Sequence, residues 1–172
     1  MTLGAYILGA MTAWCPVQEH AYREPMIITQ SRYVDIAEDI ALVSGTFDPL
    51  FHGPDARTLT ALTLASVASY ESGCFRSDVQ WCKTVGDSAS GHPSHGLWQT
   101  HAANACSTVY AQALAALDIM RTSLADCASL APDERLAEYA SGSCRAGRAA
   151  SRSRLRRAVT WMREHPFHQD DR

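Results

Sequence analysis

Ala56-Arg57-Thr58-Leu59-Thr60-Ala61-Leu62-Thr63-Leu64-Ala65-Ser66-Val67-Ala68-Ser69-Tyr70-Glu71-Ser72-Gly73 is the stretch that decides how this chain folds. Leu59, Leu62, Ala65 or Ser66, and Ser69 or Tyr70 recur every three or four residues, which predicts a helix with one face in the core. Ala61, Ala65 and Ala68 let a neighbouring helix approach closely. Gly73 stands where helices commonly end in a left-handed residue, so Glu71 falls in the last turn. There the carbonyl end of the helix dipole repels negative charge. A half-buried carboxyl in that position has its pKa raised, which is what a general acid near neutral pH requires. The plain alternative is an exposed glutamate at a frayed helix end.

Outward from this helix, the 172 residues read as a mainly α chain of one domain with an arm. Residues 1–28 are an apolar arm and connector, 29–165 the domain, and 166–172 a flexible tail. The 47% of apolar residues fits a folded globule. Met1 to Trp14 carry no charged side chain, are too short to span a bilayer, and lack the basic start of a secretory signal. They read as a helix packed on the domain or on a partner, a poor signal sequence being the alternative. Thr29 to Ser44 predict an amphipathic helix, with Tyr33, Ile36, Ala37, Ile40 and Val43 inward, stopped by Gly45.

No helical period runs from Gly73 to His95. Asp78 to Cys82 read as a short strand and Gly86 to Gly91 as a turn, a small irregular β-hairpin or loop after the Glu71 helix. Ala103 to Cys127 predict the longest helix, with Val109, Ala113, Leu117, Met120 and Leu124 on one face. Pro132 opens a short helix ending at Ser141-Gly142. Ser151 to His165 predict the last, with Leu155, Val159 and Met162 inward and arginines outward.

A net charge of −3 argues against wholesale nucleic-acid binding. Seven of the 14 arginines lie between Arg145 and Arg163. Arg152, Arg156 and Arg163 share a face flanked by Arg154 and Arg157, which reads as a solvated surface attracting anionic polymers, not a reader of DNA. Of the six cysteines, Cys127 and Cys144 flank the Pro132–Gly142 helix and are expected to approach within bonding range. Among Cys15, Cys74, Cys82 and Cys106, either Cys74 or Cys82 is expected with Cys106. Cys82, His92 and His95 have no standard metal-ligand spacing, so no metal and no cofactor is expected.

Three ordered segments, Glu71-Ser72, Gly96-Leu97-Trp98-Gln99 and Glu138-Tyr139-Ala140-Ser141-Gly142, resemble the lytic transglycosylase family, relatives of goose-type lysozyme. That family's pattern is a helix ending in Glu-Ser, then Gly-Leu-Met-Gln, then Ala-Tyr-Asn-x-Gly. The gaps of roughly two dozen and forty residues also suit it. The resemblance covers about residues 55–145 and implies a lysozyme-like α fold that cleaves the β-1,4 bond between N-acetylmuramic acid and N-acetylglucosamine in peptidoglycan. It makes Glu71 the single catalytic acid, and Ser72, Gly96, Trp98, Gln99 and Tyr139 the substrate-binding set. Trp98 stands for the usual Met, as a sugar-stacking face or a core residue. Thr100 replaces an aliphatic residue, and Ala140 stands where the family has Asn.

Ordinary glycosidases use two carboxylates, whereas in this family the substrate's own N-acetyl group and 6-hydroxyl supply the rest. Asp87 or Asp78 holding a water would turn the scaffold to goose-type hydrolysis, though either is commonly a turn residue. The expected partner is peptidoglycan, outside the cytoplasm, in a phage virion or a bacterial envelope. Contacts to other virion proteins would run through the apolar first segment. The alternative is a non-catalytic lysozyme-like part that binds wall within a larger assembly.

Overall fold

The helix opening at Ala56 runs through Glu71, but it is buried on every side, not on one face: all residues from Thr60 to Ser69 are buried. Small side chains are the reason. A helix without a charged face takes the central position, and its buried hydroxyls find partners inside. Thr60 donates to the Ala56 carbonyl (2.8 Å) and accepts from the Leu50 N–H (2.9 Å). Ser66 donates to the carbonyl of Arg154 at 2.9 Å, tying the helix to the last one.

The computed structural model describes residues 1–17, 24–83, 94–102 and 106–168. Its helices are α1 (Leu3–Trp14), α2 (Met26–Thr46), α3 (Ala56–Glu71), α4 (Ser77–Gln80), α5 (Val109–Asp126), α6 (Ala137–Ser141) and α7 (Arg148–Glu164). Helix α3 is flanked by α1, α2 and α7 and touches α5. The fold is mainly α, and among the described residues the only β pairing is a bridge between His95 and Thr100. Residues 1–28 hold part of the same core: Tyr6, Ile7, Ala10, Met11 and Cys15 are buried with Tyr33, Ile36, Ala37, Ile40 and Val43 of α2. No helix of the described residues is long and apolar enough to cross a membrane.

The chain leaves α3 through three successive left-handed residues, Gly73 (φ 60°), Cys74 (φ 67°) and Phe75 (φ 56°). Only the first is a glycine; the other two carry a steric penalty of roughly 1–2 kcal/mol each. Their surroundings hold them there. The Ser72 hydroxyl donates to the Ala68 carbonyl (2.6 Å) and accepts from the Phe75 N–H (2.8 Å). Tyr33 donates to the Cys74 carbonyl (3.2 Å) and Arg32 to that of Phe75 (2.6 Å), while a disulfide joins Cys74 to Cys15.

Several boundaries differ from expectation. Residues 78–82 include no strand; α4 is a single helical turn with Asp78 in its first turn, where an acid is favoured. Gln80 then points inward and accepts from Arg32 at 2.9 Å, a bond that outweighs the β propensity of Val79 and Trp81. The turn at 86–91 lies outside the described residues. Helix α2 runs one residue past Gly45. Helix α5 starts at Val109, not Ala103, because Thr108 caps it by accepting from the Ala111 N–H. The Pro132–Gly142 segment is a 3-10 turn (Pro132–Glu134) followed by α6, which Gly142 closes at φ 68°. On α7 the buried stripe is Ser151, Arg154, Leu155 and Ala158, and Val159 is exposed.

Three disulfides are present, Cys15–Cys74, Cys82–Cys106 and Cys127–Cys144. The last has the expected pairing, with Cα atoms 5.5 Å apart, and Cys82, not Cys74, pairs with Cys106. Cys127–Cys144 closes the segment that carries α6, so it constrains where α6 sits. Cys127→Ser with Cys144→Ser is expected to lower stability by about 3 kcal/mol, the chain-entropy value for a loop of this size. Denaturant unfolding of the double variant checks it. A midpoint equal to wild type would mean that α6 is held by packing alone.

Candidate functional site

Glu71 is the final residue of α3, and its carboxyl is held by the guanidinium of Arg154 on α7. Both are largely enclosed, with side-chain exposures of 21% for Glu71 and 11% for Arg154. Burial raises the Glu71 pKa, and the Arg154 charge and hydrogen bond oppose that rise without cancelling it. The carboxyl therefore holds its proton to higher pH than an ordinary glutamate. Arg154 is itself incompletely paired: its Nε and Nη1 are buried with no hydrogen-bond partner.

Tyr139 of α6 completes the group. Burial first, and then the Glu71 charge, push its phenol well above the ordinary range, with Arg154 opposing. Its hydroxyl donates to the Trp98 carbonyl at 2.5 Å, so its direct partner is the loop backbone and not Glu71. Two contacts seat it: the Tyr139 N–H donates to the Ser123 hydroxyl of α5 (3.1 Å), and α7 presses directly on α6. At that crossing a Cβ on Gly147 would lie 1.9 Å from the Ala137 carbonyl oxygen, so only glycine fits.

The Gly96–Gln99 loop is closed by the His95–Thr100 bridge. Gly96 (φ 71°) and Gln99 (φ 47°) are both left-handed. Gln99 donates through Nε2 to the Gly96 carbonyl at 2.8 Å, and with Tyr139, Ser123 and Glu138 it lines a cavity of about 240 Å³. Gln99 and Tyr139 are thus brought together, through the loop backbone.

Two members of the expected binding set are placed elsewhere. Trp98 is buried (1% exposed), and its indole N–H donates to the Leu64 carbonyl of α3 at 2.9 Å, so it is a core residue and offers no stacking face. Ser72 is buried too, and both functions of its hydroxyl serve the exit from α3. Of the possible second carboxylates, Asp78 is gripped through both oxygens by Arg76, at 3.0 and 2.5 Å. Asp87 and His92 lie outside the described residues. Two His/Cys/Glu clusters, Cys82–His95–Cys106 and Cys127–Glu138–Cys144, have both sulfurs in a disulfide, which removes the thiolates a metal would need.

No protein-family model, curated protein or solved structure matches this chain.

Arg154 is the residue the sequence reading missed. Taking Leu155, Val159 and Met162 as the inward set of α7 followed the larger side chains. The packed stripe is the one with Ser151 and Ala158 at its ends, the i, i+3, i+4, i+7 pattern that includes Arg154. The close helix crossing made possible by those small residues brings the arginine to Glu71.

Proposed function

We propose that this protein is a peptidoglycan-cleaving glycosidase in which Glu71 is the single acid–base group. The observation carrying this reading is a partly exposed carboxyl at the end of the central helix, with raised proton affinity, grouped with Arg154 and Tyr139. The three ordered segments that resemble lytic transglycosylases meet at this group: Glu71, the backbone of Trp98, and Tyr139.

In the proposed reaction the protonated Glu71 gives its proton to the glycosidic oxygen as the C1–O bond breaks and its electron pair passes to that oxygen. The N-acetyl carbonyl oxygen of the muramic acid bonds to C1. The Glu71 carboxylate then takes the proton of the same sugar's 6-hydroxyl. That oxygen displaces the acetamido oxygen from C1, giving a 1,6-anhydro end and a protonated Glu71. This route needs one carboxyl, whereas hydrolysis would use a second, and of the two candidates for that role Asp78 has both oxygens held by Arg76.

The Glu71–Arg154 ion pair and the Tyr139 bond to the Trp98 carbonyl also favour a second reading, a non-catalytic wall-binding domain in which they only tie α3, α6 and α7 together. Digestion of purified peptidoglycan, followed by mass spectrometry of the sugars, separates the readings. Anhydro ends are expected. Reducing ends would mean lysozyme-type hydrolysis, and bound but uncleaved wall would leave the non-catalytic reading.

A further inference from the structure

The arginines of α7 are not equivalent. Arg148 and Arg152 face Glu134, Arg154 holds Glu71, and Arg163 lies 3.6 Å from Glu164. Arg152, expected as a free surface charge, is therefore engaged. Among the described residues, only Arg156 and Arg157 of this helix have no carboxylate partner. They stand side by side on the stripe Ser153, Arg156, Arg157, Thr160, which lines a cleft of about 350 Å³ against Trp14 at the end of α1 and Tyr70 of α3.

Arg157 is preorganised there. Its guanidinium carbon lies 4.1 Å from the Tyr70 ring centroid and 5.6 Å from that of Trp14, and Nη1 donates to the Ser69 hydroxyl at 2.7 Å. The two rings and the Ser69 bond fix the guanidinium in place, and its remaining N–H groups are of the kind that recognise a carboxylate or phosphate. Arg156 adds a second, exposed cation, and Ser153 and Thr160 supply hydroxyls of the kind that bind sugar oxygens. Among the described residues the one acid lining the cleft, Glu164, is beside Arg163. Tyr70 immediately precedes Glu71, and Arg154, which holds Glu71, also lies 5.8 Å from the Tyr70 ring centroid, so the cleft and the acid share the same end of α3.

We propose that the cleft between Trp14, Tyr70 and the Arg156–Arg157 pair is a binding site for an oxyanion-bearing saccharide, held by its carboxylate or phosphate. This rests on the reading of the protein as a wall-cleaving enzyme, and it names the charged feature of the wall that would be held beside Glu71. Two wall components carry that chemistry: muramic-acid strands through their carboxylates, and attached polyol-phosphate polymers.

The test is calorimetric titration of the wild-type chain with four probes: muramic-acid-containing glycan fragments, soluble polyglycerol phosphate, a neutral N-acetylglucosamine oligomer, and a single-stranded DNA oligomer. Binding of at least one of the first two is expected, and which one binds assigns the source. Arg156→Gln with Arg157→Gln should weaken that binding at least about tenfold, given the strength of charge-assisted hydrogen bonds. Arg157→Lys should recover only part of the loss, since an ammonium lacks the planar fork. Arg156→Gln alone, at an exposed position, serves if the double variant fails to fold, and a several-fold loss is expected. Undiminished binding by these variants, equal affinity for the neutral oligomer, or equal affinity for a single-stranded DNA oligomer would overturn the proposal. Failure here with wall cleavage intact removes the cleft and leaves the enzyme reading. Binding without cleavage does the reverse.

Discussion

Glu71→Gln is expected to leave the chain folded and bound to wall while turnover falls by roughly 10⁴-fold, the upper end of what one acid–base group contributes. The upper end applies because the same carboxyl would serve in both halves of the reaction. Glutamine keeps the size and still accepts from Arg154, but it cannot protonate a leaving oxygen. The effect on stability has a definite sign. The folded-state pKa of Glu71 is raised, by burial above all, with Arg154 opposing. The native state therefore binds the proton more tightly than the unfolded one, so the stability present below the ordinary glutamate range is lost as pH rises through the folded pKa. Glutamine has no charge to desolvate. Its thermal midpoint near pH 7 should equal or exceed that of wild type, and the decline across that window should vanish. Peptidoglycan digestion and pH-dependent thermal unfolding measure the two arms. A fully active Glu71→Gln protein would remove Glu71 from the mechanism. A large loss of stability would make the carboxylate structural.

The residues that the sequence placed well are those whose role is local. Glu71 at the end of α3, Gly73 as its left-handed exit, and the Cys127–Cys144 pairing each follow from a helix period, a turn or two flanking positions. What was not legible depends on which faces meet. Asp78 to Cys82 alternate like a strand, yet the demand of buried Arg32 for the Gln80 oxygen and the Phe75 carbonyl makes them a helical turn. Trp98 was open to either reading until α3 supplied the Leu64 carbonyl for its N–H. Arg154 required knowing that α7 crosses α3 on small residues, and a charged side chain between Ser151 and Ala158 gives no sign of facing inward by itself. Long-range polar partners, not apolar patterning, are what one sequence withheld here.

Arg154→Met should act on Glu71 through its proton. The ion pair is enclosed, and removing one partner of such a pair leaves an uncompensated charge. That charge can escape by taking up a proton, which sets a ceiling on the penalty. At about pH 7 the ceiling is roughly 3.5 kcal/mol, the work of protonating a glutamate whose ordinary pKa is near 4.3. At about pH 5 the same work is roughly 1 kcal/mol. Destabilisation should therefore shrink severalfold between these conditions, a signature that lost packing alone does not produce. In activity the sign follows from the role of Glu71 as acid. It works only while protonated, so activity falls as pH rises through its pKa. Arg154 holds that pKa down against burial. Without it the falling limb should move to higher pH, even as the maximum drops because the carboxyl has lost its orienting partner. Arg154→Lys keeps a cation and should keep the limb near the wild-type position. Profiles of wall clearing against pH, with urea unfolding at both pH values, test the pair together. A limb that stays in place in Arg154→Met, with equal destabilisation at both pH values, would mean that Arg154 only fastens α7 to α3.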